Sequence, residues 1–131
     1  MFMPISYRID SDRGLVLTTA SDSLTVDELL AHKSALLEDE QFLPGFKELS
    51  DVRGVREMKL GFTEMQRLAG FDRDHKARLG DYKLALVVPK ALIFGLARMY
   101  QQVTEENLPQ VGVFHSVEDA AKWLGVAPTA E

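Results

Sequence analysis

Ser50, Asp51 and Arg53 stand together in one short segment, Lys90 follows a long apolar run, and His115 with Ser116 follows another. An aspartate, a lysine and a histidine brought to one place would do acid-base work, which is the chemistry of a small enzyme. Each also has a plain structural use. Asp51 can cap a turn, Lys90 can lie in solvent, and His115 can fill a strand end. Other chemistries find less material. His32, His75 and His115 are far apart, without H-x-x-x-H or H-x-H spacing, so no metal site is expected. The chain has no cysteine, which excludes disulfides, thiolate zinc sites and cysteine nucleophiles. There is no G-x-S-x-G elbow, and Gly54 and Gly61 make neither a Walker nor a dinucleotide loop, so no cofactor is expected.

The elements that would position these residues follow from periodicity and turn chemistry. Ile5-Ser6-Tyr7-Arg8-Ile9-Asp10 alternates with period two, which predicts a half-buried strand with Ile5, Tyr7 and Ile9 inward. Ser11-Asp12-Arg13-Gly14 is turn chemistry, and Leu15 to Thr19 is the return strand of a hairpin. Thr25 and Glu28 form a capping box that opens a helix through Leu29, Leu30, Leu36 and Leu37. Phe46 to Val52 reads as the next strand, unusually polar at Lys47, Glu48, Ser50 and Asp51, and ended by Arg53-Gly54. Thr63 and Gln66 offer a second capping box. Asp72 to Arg78, dense in both charge signs, reads as an exposed helix end.

Tyr82 to Val88 contains the continuous apolar run Leu84 to Val88, closed by Pro89 and suited to a central parallel strand buried on both faces. Ala91 to Glu106 is a third helix, Gln110 to His115 the last strand, and Ser116 to Gly125 a closing helix. The order ββαβαβαβα specifies an α/β fold with a five-stranded, mostly parallel mixed sheet flanked by four helices. Ligands of such sheets sit beyond the carboxyl ends of the strands, where the polar candidates lie. The third helix carries more apolar residues than one core stripe needs. Two readings stand side by side: a broadly buried helix, or one whose Phe94, Met99 and Tyr100 face a partner, a second copy of the chain or a lipid-like ligand.

Composition sets outer bounds. The 131 residues make one domain, 1–131, with its core at about 4–125. The formal charge of −5, with no basic run, argues against nucleic acid and against docking on anionic lipid. Met1-Phe2-Met3-Pro4 lacks the features of a signal peptide, and no apolar stretch is long enough to span a membrane. With cysteine absent, a cytoplasmic location is expected.

Four segments carry a resemblance: Pro4 to Asp10, Ser50-Asp51-Val52-Arg53-Gly54-Val55, Phe94 to Gln101, and Val111-Gly112-Val113-Phe114. They resemble a family of small uncharacterised bacterial proteins with the SpoIIAA-like fold, the fold of the anti-sigma-factor antagonist (STAS) domains. True antagonists carry D-S-x-G at the start of the second helix, where the serine takes a phosphate. Here that stretch is Val55 to Thr63, without the motif, and Thr63 is the only hydroxyl near the place. Thr63 is expected to cap the helix rather than to be phosphorylated. The resemblance implies a non-enzymatic binding or regulatory module: a partner of another protein, a homodimer, or a carrier of a small apolar or lipid-like ligand. The alternative is an unrecognised enzyme using Asp51, Lys90 and His115.

Overall fold

The computed structural model describes residues 5–59, 61–89, 95 and 110–126. Ile5–Asp10 (β1) turns back through Gly14 into Leu15–Thr25 (β2), antiparallel, in a regular register from Ile5 opposite Ala20 to Asp10 opposite Leu15. Gly14 has φ of 59°, a left-handed conformation that glycine adopts without steric penalty. Lys47–Lys59 (β3), Lys83–Val87 (β4) and Gln110–Phe114 (β5) add in parallel, and the sheet order is β1-β2-β3-β4-β5. The apolar run around Leu84 is therefore an interior strand.

Four helices are described: Val26–Glu38 (α1), Phe62–Asp74 (α2), Lys76–Leu79 (α3) and Val117–Leu124 (α4). The crossovers β2-α1-β3 and β3-α2-β4 advance in the same direction, so a common handedness puts α1 and α2 on one face. The clusters agree. Val16, Leu84 and Val111 pack with Val26, Leu36, Met65, Leu68 and Leu79 of the first three helices. Side chains of opposite parity, Leu15, Leu49, Ala85 and Val87, pack with Ala120, Ala121 and Leu124 of α4 on the other face. A third cluster, Ala20, Leu24, Val52, Val55 and Val88, closes the carboxyl ends of the strands.

The caps of α1 and α4 are those the sequence predicts. The Glu28 amide donates to Thr25 Oγ1 at 3.2 Å, and the Thr25 amide donates to Glu28 Oε1 at 2.9 Å. Ser116 Oγ accepts from the Asp119 amide at 3.1 Å, and Gly125 ends α4 with φ of 77°.

Four local expectations change. β2 and β3 run well past Thr19 and Val52, because Ser21 to Thr25 pairs with Gly54 to Lys59 after register shifts around Ala20 and Asp22. Gly54 lies inside a strand rather than ending one. A Cβ there would stand 3.4 Å from the Ala20 carbonyl oxygen, so the close pairing rather than a turn uses the glycine. α2 opens at Gly61, whose amide donates to Glu64 Oε1 at 2.8 Å. Thr63 is therefore an exposed first-turn residue and not the cap. The charged segment at Asp72 is no simple exposed end. Asp72 is buried and ion-paired to Lys33 of α1 at 3.0 Å, and Arg78 donates to the carbonyls of Leu37 and Asp39 at 2.8 and 3.0 Å. The third helix expected at 91–106, with Phe94, Met99 and Tyr100, and Lys90 before it, lies outside the described residues but for Gly95.

Candidate functional site

Two polar constellations stand on opposite faces of the sheet. The first is buried beneath α1. Glu48 has the parity of Val52 and so points to the α1 face from near the start of β3. Its Oε2 accepts from Thr18 Oγ1 at 2.5 Å and lies 3.1 Å from His32 Nε2, and Tyr82 donates its hydroxyl to Oε1. Tyr7 meets the His32 ring edge-on, with centroids 5.5 Å apart, and donates its hydroxyl to Asp39 Oδ2 at 2.9 Å. Burial, then the Asp39 hydrogen bond and charge, pushes the Tyr7 hydroxyl up to about 12.

Burial is also the strongest influence on Glu48, and alone it would raise the carboxyl. The His32 hydrogen bond and charge, joined by the Thr18 and Tyr82 hydroxyls, outweigh it and hold Glu48 at about 2, against 4.5 for a free side chain. A carboxylate held this far down is a weak base and a strong local anchor. It ties β2, β3, α1 and the start of β4 to one point. The linkage has a definite sign. The depressed folded-state value contributes stability that is complete above about pH 4.5 and is lost as pH falls toward about 2. The expected size is on the order of 3 kcal/mol. Urea midpoints measured between those pH values should fall in the wild type more steeply than in Glu48→Gln.

The second constellation is open. A single helix is about 10 Å wide and strands lie about 4.8 Å apart, so α4 covers only part of a five-stranded sheet. It packs over β3, β4 and β5 and reaches Leu15 at the start of β2, and the rest of that face, at Ser6, Arg8, Leu17 and Thr19 of β1 and β2, is left open among the described residues. A cleft of about 600 Å³ results. Its floor is Leu17 and Leu49, with Val117 of α4 as the apolar part of one wall. Ser6, Arg8 and Thr19 line the β1–β2 side, and Asp51, Arg53 and Glu118 the α4 side. Asp51 and Arg53 are locked together, with Nε to Oδ1 at 2.9 Å and Nη2 to Oδ2 at 2.8 Å. The hydrogen bonds and charge of Arg53 outweigh partial burial and hold the Asp51 carboxyl below its usual range. Glu118 adds its charge beside the same guanidinium. That wall carries two carboxylates to one guanidinium, and Arg8 faces it from about two strand spacings away.

The residues singled out in the sequence therefore separate. Ser50 is buried on the α1 face, while Asp51 and Arg53 share the cleft on the other. His115 is exposed beyond β5, its Nδ1 3.3 Å from the Val88 carbonyl oxygen, with β4 between it and the strand of Asp51. Thr63 is at the start of α2. Lys90, Phe94, Met99 and Tyr100 are outside the described residues. Among the described residues no group of three or more His, Asp or Glu is placed to hold a metal ion, and no helix is long and apolar enough to cross a membrane.

Sequence reasoning missed Glu48, His32, Tyr7 and Tyr82, and the cleft residues Ser6, Arg8, Thr19 and Glu118. A signal for Glu48 existed: a carboxylate at the buried parity of a strand needs partners. For the cleft, the signal was the short closing helix set against five strands.

No family model matches this chain, and no curated protein matches it. The solved structures include a similar chain, an uncharacterised protein of the DUF3478 family with a SpoIIAA-like fold from Shewanella loihica PV-4. The two share 15% sequence identity, 92% of this chain and 91% of the other are covered, and the TM-score is 0.58. The likeness spans nearly all of both chains, and this chain, with its five-stranded mixed sheet flanked by helices, has the SpoIIAA-like fold.

Proposed function

We propose that this protein is a non-enzymatic binding module and that it binds in the cleft on the α4 face. The observation that carries the reading is the composition of that cleft: an apolar floor between walls of opposite charge. A ligand suited to it has an apolar body over Leu17, Leu49 and Val117. Its negative group meets Arg8, and its positive group meets Asp51 and Glu118. That description is a small zwitterionic amphiphile. At about 600 Å³ the cleft is in the range of small-molecule sites. The surplus of apolar residues at Phe94, Met99 and Tyr100 supports the same reading from sequence alone, as a second apolar contact for a lipid-like ligand or another protein.

The test is a nitrogen-15 NMR titration with dihexanoylphosphatidylcholine kept below its micelle concentration. The reading expects saturable shifts at Ser6, Arg8, Thr19, Asp51, Arg53 and Glu118. The same titration on Phe94→Asp separates the two surfaces: cleft shifts should persist while any response of the 91–106 segment is lost. Unsaturable shifts, or shifts confined to residues away from the cleft, would remove the reading. The enzyme alternative draws on Asp51, and the Arg53 pairing makes that carboxylate a weak general base.

A further inference from the structure

β1 pairs with β2 on one side, and among the described residues nothing pairs with its other side. Exposed edges of this kind are usually blunted by a proline, a bulge or an inward charge. β1 carries Arg8 and Asp10, but both have the parity of the cleft face, and no proline, bulge or inward charge interrupts the strand. Its register with β2 is unbroken, no proline falls within Ile5–Asp10, and Tyr7, Ile5 and Ile9 rather than charges point to the helical face. An edge so regular accepts another strand.

We propose that two copies of the chain join through β1, antiparallel, about a two-fold axis through Tyr7. The strand sequence selects that arrangement. A two-fold axis perpendicular to the sheet keeps both sets of helices on one side and pairs residues of equal parity. Centred on Tyr7, it sets Ile5 against the partner's Ile9 and Tyr7 against the partner's Tyr7 on the helical face. On the cleft face it sets Ser6 against the partner's Arg8. Centred on Arg8 instead, it would bring two guanidiniums directly opposite each other, which is destabilising. Other equal-parity centres shorten the overlap.

The junction also changes the cleft. Ser6 and Arg8 line its β1 side, so the neighbouring copy brings the partner's Arg8 to the rim beside Ser6. Each cleft is then completed by a guanidinium from the other subunit, and the two clefts lie along one continuous sheet face. The junction rests on β1 and not on the choice of ligand, so a failed lipid titration leaves it standing.

The absence of cysteine makes the register directly readable. Ser6→Cys and Arg8→Cys are prepared separately; both positions are exposed. Directly opposed strand residues have Cβ atoms about 4.5–5.5 Å apart, against about 7–8 Å for diagonal neighbours. Under mild oxidation, an equimolar mixture of the two variants should give several-fold more disulfide-linked dimer than either variant alone. Light scattering on the unmodified protein should report twice the 14.7 kDa chain mass. A mass of one chain at all concentrations would overturn the proposal. So would equal cross-linking in the mixture and the single variants, or cross-linking confined to Arg8→Cys alone.

Discussion

Glu48→Ala should destabilise the protein by about 3–5 kcal/mol, read as a lowered urea midpoint at neutral pH. The carboxylate is the shared acceptor of Thr18, Tyr82 and His32 at the centre of the α1 face. Removing it leaves two hydroxyls and an imidazole facing a space that none of them can fill, with Thr18 itself buried. Each stranded donor forfeits a solvation it cannot recover. Glu48→Gln should lose less, because the amide oxygen still accepts while its NH2 must compete for the same neighbours. A loss under 1 kcal/mol for Glu48→Ala would show that the network is an ornament of the fold and not its anchor.

Phe42→Ala should cost a comparable amount, about 3–5 kcal/mol, for a different reason. Phe42 is fully buried in the turn after α1. Its ring meets Phe46 and Tyr82 edge-on, at centroid separations of 5.8 and 6.2 Å, and carries the Arg78 guanidinium at 5.2 Å. Arg78 in turn donates to the last carbonyls of α1. Truncation therefore opens a cavity and also removes the surface on which the arginine lies. Thermal melts of Phe42→Ala and Phe42→Leu would separate the two contributions. Leucine refills much of the volume but offers no ring face, so it should recover most but not all of the loss.

The contrast between these residues shows what was legible in the sequence. Strands and helices with strong local signals were readable: the alternation of β1, the capping box at Thr25, the apolar run of β4 and the serine cap of α4. Those signals are local, and the handed crossovers turn them into a topology. The long β2–β3 ribbon was not readable. Its second half is held by pairing between Ser21–Thr25 and Gly54–Lys59, whose own residues look like turn and loop. The start of α2 was misread because the helix begins two residues earlier, at Gly61, which has no side chain to signal a cap and whose amide donates to Glu64 Oε1.

The site was harder to read than the fold. Chemistry-bearing residues at strand ends drew attention to Asp51, Arg53 and His115, and only Asp51 with Arg53 share a surface in the structure. Glu48 looked like a flaw in a strand because its partners, Thr18, His32 and Tyr82, are 30, 16 and 34 residues away. The cleft arises from an area mismatch, one short helix over a wide sheet, and no motif encodes that. Ser6, Arg8 and Thr19 are simply the polar side of two alternating strands until the sheet leaves that side open.

The most direct test of the binding reading blocks the cleft without touching the core. Thr19 is exposed, lies on β2 between Ser6 and Asp51, and projects into the cleft. Thr19→Trp fills that space with a side chain that strands accept well. The dissociation constant for dihexanoylphosphatidylcholine, measured by NMR titration on wild type and Thr19→Trp, should rise at least about tenfold, a loss of about 1.4 kcal/mol, with the melting temperature unchanged. An unchanged affinity in a folded Thr19→Trp protein would place the ligand elsewhere and contradict the account.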